Sequence, residues 1–120
     1  MLCAAKGCPT RAFNDLDLVA TFLPPDAFAI LVVGTSEAAR PGVFGGPGSL
    51  RVDGDVGRGL VRRTSLSGTA DFAFDVYAVP QPAGVVAAVA GSSWVAQVLH
   101  RDADHPGGTG ATNAVVVHVR

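Results

Sequence analysis

The chain has 120 residues, a formal net charge of -1 and only 16% charged residues. This is the length of one domain, and without a basic surface neither nucleic acid nor an anionic membrane is expected as a partner. The hydrophobic content of 48% is high for a domain with so little interior, which predicts that part of its surface is an interface. No apolar run, including residues 85–90, is long enough to cross a bilayer, so no membrane span is expected.

The first third of the chain predicts two strands. Residues 15–22 alternate polar and apolar side chains, which favours a strand that buries Leu16, Leu18, Ala20 and Phe22. Two prolines follow and end it, because proline has no amide hydrogen for a ladder. Residues 27–34 are almost continuously apolar, which is typical of a central strand.

Residues 35–48 are rich in glycine and proline and predict a long loop. Loops on β scaffolds often carry function, so the apolar pair Val43 and Phe44 is a candidate for an exposed contact. A short strand is expected at residues 49–52, then a turn at residues 53–55 around a central glycine, and another strand at residues 56–61.

The clearest strand covers residues 70–77, where Phe72, Phe74 and Val76 point inward and Tyr77 points outward. Tyr77 is therefore a further candidate for an exposed contact. Two prolines and a glycine then break this strand. The apolar run that follows is bracketed by glycines, which favours a short strand or a loop.

The only tryptophan lies on a strand that ends at residues 101–102. Trp94 shares one face with Ala96 and Val98, and the alternation is typical of a sheet with one packed face. These apolar neighbours favour a core position for the tryptophan over an exposed platform for a sugar ring. After a polar loop, residues 113–120 predict a last strand that closes a sheet.

Together these elements predict an all-β fold, a single antiparallel β-sandwich of about seven or eight short strands, with a small β-barrel as the alternative. Residues 1–12 are weakly patterned and are assigned to an amino-terminal extension. Residues 13–120 are assigned to the sandwich domain.

Cys3 and Cys8 are the only cysteines, and they leave three alternatives open. A local disulfide in an exported protein is favoured, and two free thiols come next. A metal site comes last because two thiolates cannot complete the tetrahedral shell of zinc, and no histidine stands at zinc-finger spacing from them.

Asp102 and Asp104 in the polar loop are candidate calcium ligands, together with Asp53 and Asp55 if the fold brings the two loops to one end. The competing interpretation is favoured, because aspartates in turns usually accept hydrogen bonds from local backbone amides. No cofactor is therefore expected, with calcium kept as the alternative.

The residue types of a hydrolase triad are present in Ser92, Ser93, His100 and Asp102. However, Trp94 and His100 lie roughly 20 Å apart on one extended strand, so Ser93 cannot reach His100 within it. The sequence contains neither a nucleophile elbow nor a phosphate-binding loop, so an enzyme is not expected.

A series of short motifs along residues 13–120 resembles a bacterial module. In chain order they include Asn14-Asp15-Leu16, Gly48-Ser49-Leu50, Gly57-Arg58, the segment 80–84, Gly91-Ser92-Ser93-Trp94, His100-Arg101-Asp102 and Thr112-Asn113. The chain is similar in these motifs to the β-rich domain found at the carboxyl end of many large bacterial secreted or cell-surface proteins. The resemblance implies an extracellular or cell-surface location and a sandwich-like fold, and it carries no established activity.

Two features of that family are missing here. The family usually has a cysteine where this chain has residues 50–53, so its disulfide pattern is not carried over. Val95 and Leu99 stand where the family often has larger rings, which weakens an inference of sugar stacking.

The function expected is that of a non-enzymatic exported module that acts in self-association, as a homo-oligomer, or in a larger surface assembly. One alternative is a carbohydrate-binding module that uses Phe44, Tyr77 or the loop aspartates to hold a glycan. Another is a strand-complemented subunit, in which the weakly patterned residues 1–12 leave a sheet edge that accepts a neighbour's segment.

Overall fold

The computed structural model describes residues 2–6, 16–41, 49–101 and 109–120. These residues form antiparallel strands and no helix, which confirms the all-β prediction. The described residues contain twelve strands, more than expected, because strands of three residues leave little periodic signal in a sequence. In chain order they are β1 (Leu2–Lys6), β2 (Leu16–Thr21), β3 (Phe28–Gly34), β4 (Ser36–Pro41), β5 (Ser49–Asp53), β6 (Gly57–Arg63), β7 (Ala70–Phe74), β8 (Val79–Gln81), β9 (Gly84–Val86), β10 (Ser93–Arg101), β11 (Thr109–Ala111) and β12 (Val115–His118).

Two sheets form the sandwich. The first sheet has the strand order β1-β2-β7, and the second has the order β11-β10-β3-β6 with β12 also paired to β10. One edge of β10 pairs with β3, and the other edge pairs with both β11 and β12. These two strands follow each other along that edge, and their register against β10 shifts by one residue around Thr112. Neither sheet closes on itself within the described residues, so they form a sandwich and not a barrel.

The core lies between the two sheets and is filled by every second side chain of the strands that face it. The first sheet contributes Leu16, Leu18, Phe72 and Phe74 among others, all buried on the faces that the sequence predicts. Trp94 on the second sheet is 8% exposed, which confirms its predicted core position. Its indole Nε1 donates a hydrogen bond of 3.1 Å to Ser92 Oγ, so the one polar atom of the ring is satisfied.

A third layer covers part of the outer face of the second sheet. The hairpin of β4 and β5 places Val52 against Val32 and Val95 in a second apolar cluster. Gln97 is fully buried under the hairpin, where its Oε1 accepts a hydrogen bond from the amide of Arg51 at 3.0 Å. The prediction that β10 packs on one face only is therefore wrong, because the hairpin adds a layer that a single strand's alternation does not reveal.

The predicted loop at residues 35–48 is also partly wrong. Residues 36–41 form β4, which pairs with β5 across an irregularity between Glu37 and Arg40. This strand contains no alternation of apolar and polar residues, and its partner strand imposes the extended conformation.

The segment assigned to an amino-terminal extension joins the first sheet. Residues 2–6 pair along their whole length with β2, from Leu2 opposite Thr21 to Lys6 opposite Asp17, and Cys3 lies opposite Ala20. β1 thus occupies the edge on which the strand-complementation alternative was based.

Phe22 does not extend the buried face of β2 as predicted. The chain turns at this residue with φ of 59°, and the ring is 73% exposed. Leu23 takes the buried position instead, and its amide donates a hydrogen bond of 3.0 Å to the carbonyl of Gly68 in the turn between β6 and β7. The turn therefore ends the alternation one residue earlier than the sequence indicates.

Candidate interaction sites

An apolar run of six residues, residues 85–90, lies on the surface. We name residues 85–90 the valine segment. The exposed fractions are 65% for Val85, 43% for Val86 and 69% for Val89, and only Ala88 is buried. Isolated exposed valines are ordinary, but a contiguous run of them on a small domain marks a contact surface.

Local hydrogen bonds hold the valine segment in place. It begins in β9, which pairs with β8 through Val79 opposite Val86, although the prolines of this region predict only a break. The amide of Ala88 donates to the carbonyl of Val76, and the amide of Gly91 donates to the carbonyl of Val119 at 2.7 Å. Among the described strands β9 pairs with β8 alone, so its second edge is open.

Tyr77 lies in a turn that runs next to the valine segment in the fold. The bond between Ala88 and Val76 brings the turn after β7 alongside this segment. Asp75 Oδ1 accepts a hydrogen bond of 2.9 Å from the amide of Tyr77 and so fixes the turn, and the tyrosine ring is 48% exposed. The predicted exposure of Tyr77 is confirmed, but the strand predicted to reach it ends at Phe74, and its role as a contact stays a prediction.

A second candidate site is an open cleft of about 490 Å³ on the outer face of the second sheet, beyond the end of the β4–β5 hairpin. We name it the arginine cleft. Its floor is apolar, with Phe28 and Ile30 from β3, Val61 from β6 and Leu99 from β10. The lining also includes Arg58, Arg101 and Thr109.

The arginines around this cleft differ in their ionic partners. Arg63 Nε lies 2.8 Å from Asp26 Oδ1, and its guanidinium lies 5.0 Å from the centre of the Phe28 ring. Arg58 and Arg101 are exposed and form no ion pair with any residue that the structure describes. Within the described part of the chain, these two guanidinium groups thus have no carboxylate partner.

The predicted calcium ligands are only partly within the described residues. Asp53 and Asp55 flank the turn between β5 and β6, where Thr35 Oγ1 accepts a hydrogen bond of 3.1 Å from the amide of Asp55. Asp102 and Asp104 lie outside the described residues. Among the residues that are described, no three His, Cys, Asp or Glu side chains are grouped to hold a metal ion.

Three other predicted site residues, Val43, Phe44 and Cys8, also lie outside the described residues. Sequence reasoning did not identify the floor of the arginine cleft, whose signal is the apolar character of both faces of β3. Phe28, Ile30 and Val32 share the outer face of this strand, while Ala29 and Leu31 are buried on the inner one.

One serine–histidine pair is present on the surface. Ser93 Oγ and His118 Nδ1 are 2.7 Å apart across paired strands β10 and β12. No carboxylate among the described residues forms an ion pair with this histidine. The pair is a cross-strand contact, and it differs from the combination of Ser93 with His100 that the sequence analysis rejects.

Comparison with protein-family models, with curated proteins and with solved structures gives no significant match. The described part of the chain contains no helix that is long and apolar enough to span a membrane. The candidate interaction surfaces of the described residues are therefore the valine segment and the arginine cleft.

Proposed function

We propose that the domain is a non-enzymatic association module that pairs with a second copy of itself through the valine segment. The observation that carries this proposal is the exposure of a six-residue apolar run, residues 85–90, that begins on an outer strand. The setting we propose is extracellular or at the cell surface, as the sequence resemblance implies, where such contacts contribute to a surface assembly.

The exposed valines supply part of the association energy. Complete burial of one valine is worth about 1.5–3 kcal/mol, and Val85 and Val89 are about two-thirds exposed. Counted on both copies, these four side chains contribute about 4–8 kcal/mol. This is comparable with the cost of association itself, so further contacts are needed and the dimer is expected to be weak.

The open edge of β9 supplies those further contacts. Natural proteins protect exposed edges with charged residues, proline or bulges, and residues 84–91 contain no charged residue and no proline. Antiparallel pairing of β9 with its copy about a two-fold axis adds backbone hydrogen bonds and brings both valine segments together. Such a contact uses the same surface on both copies, so it closes at the dimer.

The test compares the oligomeric state of the wild-type chain with that of two single variants. V85K introduces a charge into the valine segment and abolishes the dimer in sedimentation velocity across a concentration series. The matched control L66K changes a side chain that is 90% exposed in the turn between β6 and β7, and it leaves the dimer unchanged. Both changed side chains are largely exposed, so both variants are expected to fold, which circular dichroism checks.

A wild-type chain that stays monomeric throughout the series contradicts the proposal, and so does equal dissociation by the two variants. The exposed ring of Tyr77 favours carbohydrate binding as a second candidate, because sugar rings stack on aromatic side chains. Glycan-dependent retention on an affinity gel that Tyr77→Ala removes, in a monomeric chain, would favour this candidate.

A further inference from the structure

We propose that the arginine cleft binds an extended peptide segment of a partner protein, in which two acidic residues flank an apolar one. The proposed site does not depend on self-association, although Arg58 also lines a neighbouring pocket together with Val85 of the valine segment. Its ligand chemistry follows from the guanidinium groups of Arg58 and Arg101 and from the apolar floor between them.

The register of the strands fixes the spacing of the two arginines. Arg58 lies opposite Val32 on β3, and extending the pairing of His100 with Ala29 by one residue places Arg101 opposite Phe28. The two arginines are therefore two strands apart and four residues apart along the sheet. With strands about 4.8 Å apart and a rise of about 3.3 Å per residue, their Cα atoms are about 16 Å apart.

An extended peptide matches this spacing. Alternate residues of a strand face the same side, so the first, third and fifth residues of a five-residue segment point into the cleft together. The first and fifth Cα atoms lie about 13 Å apart, and the long arginine side chains span the difference. Acidic residues at these two positions meet Arg58 and Arg101, and an apolar residue at the third position lies over Ile30 and Leu99.

The chemistry of each contact is specific. A guanidinium binds a carboxylate through two parallel hydrogen bonds, which a lysine in its place does not form. Arg63 is already engaged with Asp26 and with the Phe28 ring, so it shapes the floor and leaves binding to the other two arginines. The cleft volume of about 490 Å³ lies in the range that accommodates a few side chains.

The test uses a fluorescein-labelled peptide Gly-Asp-Ser-Leu-Ser-Asp-Gly and fluorescence anisotropy at low salt. We expect binding with Kd on the order of 100 µM that weakens as salt is raised. R58Q/R101Q weakens the affinity for the peptide about tenfold or more. The control R51Q/R120Q removes the same charge from two exposed arginines elsewhere and changes this affinity by less than about twofold. A peptide with asparagine in place of both aspartates does not bind.

The floor is tested separately with Val61→Ser, a change at a side chain that is 59% exposed on an edge strand, which lowers the affinity about threefold. Dodecanoate is the second probe, because a fatty acid carries a carboxylate and an apolar chain without a peptide. The proposal is overturned if the peptide does not bind, if both double variants weaken binding equally, or if dodecanoate alone occupies the cleft.

Discussion

Replacement of Gln97 by leucine tests how much this side chain adds to the apolar contacts that hold the third layer on the sandwich. Gln97 Nε2 donates a hydrogen bond of 2.7 Å to the carbonyl of Thr112, and its Oε1 accepts one of 3.0 Å from the amide of Arg51. The side chain thereby joins β10, β5 and the interruption between β11 and β12. Leucine has a similar volume, so the substitution removes the hydrogen bonds with little change in packing.

The expected loss of unfolding free energy follows from the two backbone groups that lose their hydrogen bonds to Gln97, the carbonyl of Thr112 and the amide of Arg51. Thr112 is 3% exposed, so its carbonyl loses a partner that water does not replace, at a cost of about 1–3 kcal/mol. The Arg51 amide lies nearer the surface, so its loss costs less. Leucine buries more apolar surface than glutamine and offsets part of this, which leaves a net loss of about 2 kcal/mol in the free energy of unfolding.

Urea denaturation followed by the fluorescence of Trp94 measures this loss. Hydrogen exchange adds a local measurement, because the Arg51 amide is expected to lose protection while amides between β3 and β10 keep theirs. Gln81→Leu is the matched control, since Gln81 Nε2 donates to the carbonyl of Asp55 at 3.2 Å in an exposed position. A loss below about 0.5 kcal/mol for Gln97→Leu with an unchanged m-value, or an equal loss in the control, would refute the reasoning.

Two further expectations concern glycines. Gly68→Ala is expected to cost about 2–3 kcal/mol of unfolding free energy, because Gly68 has φ of 76° and an added Cβ overlaps the Leu23 carbonyl oxygen. Gly84→Ala is the control and should cost less, because Gly84 has φ of 136° but open space around it. Equal losses of stability in thermal unfolding would contradict the steric argument. Gly110→Ala places a Cβ against the buried ring of His100. A double-mutant cycle of Gly110→Ala with His100→Ala should therefore show a coupling energy of about 1 kcal/mol or more. Additive losses of stability would show that these two residues do not interact.

Alternation predicts the faces of β2 and β7 because both strands have the core on one side and solvent on the other. Phe72 and Phe74 are buried, and Asp71 and Ala73 are exposed, as their positions indicate. The same rule gives the wrong result at Phe22, because a left-handed turn ends the period before the sequence pattern ends. Local pattern therefore predicts strand faces where the strand continues, and it carries no information on the residue at which the backbone turns.

The layers could not be predicted in the same way. Nothing in the alternation of β10 shows that a hairpin covers its outer face, and only Gln97, a polar residue among apolar ones, marks the place where that hairpin binds. Composition does predict that apolar surface is exposed somewhere, but the exposure of the valine segment depends on β9 being the outer strand of its hairpin. Site prediction from the sequence therefore fails where it depends on tertiary neighbours.

The outer faces of the two sheets provide an internal comparison that bears on the arginine cleft. On the first sheet, the exposed outward positions of β2 and β7 carry Asp17, Asp71 and the small residue Ala73. On the second sheet, outward positions beyond the hairpin carry Phe28, Ile30 and Leu99. Within the described residues, the outer face of the second sheet is therefore more apolar than that of the first, and this difference in polarity is the physical reason for proposing a bound segment in the arginine cleft.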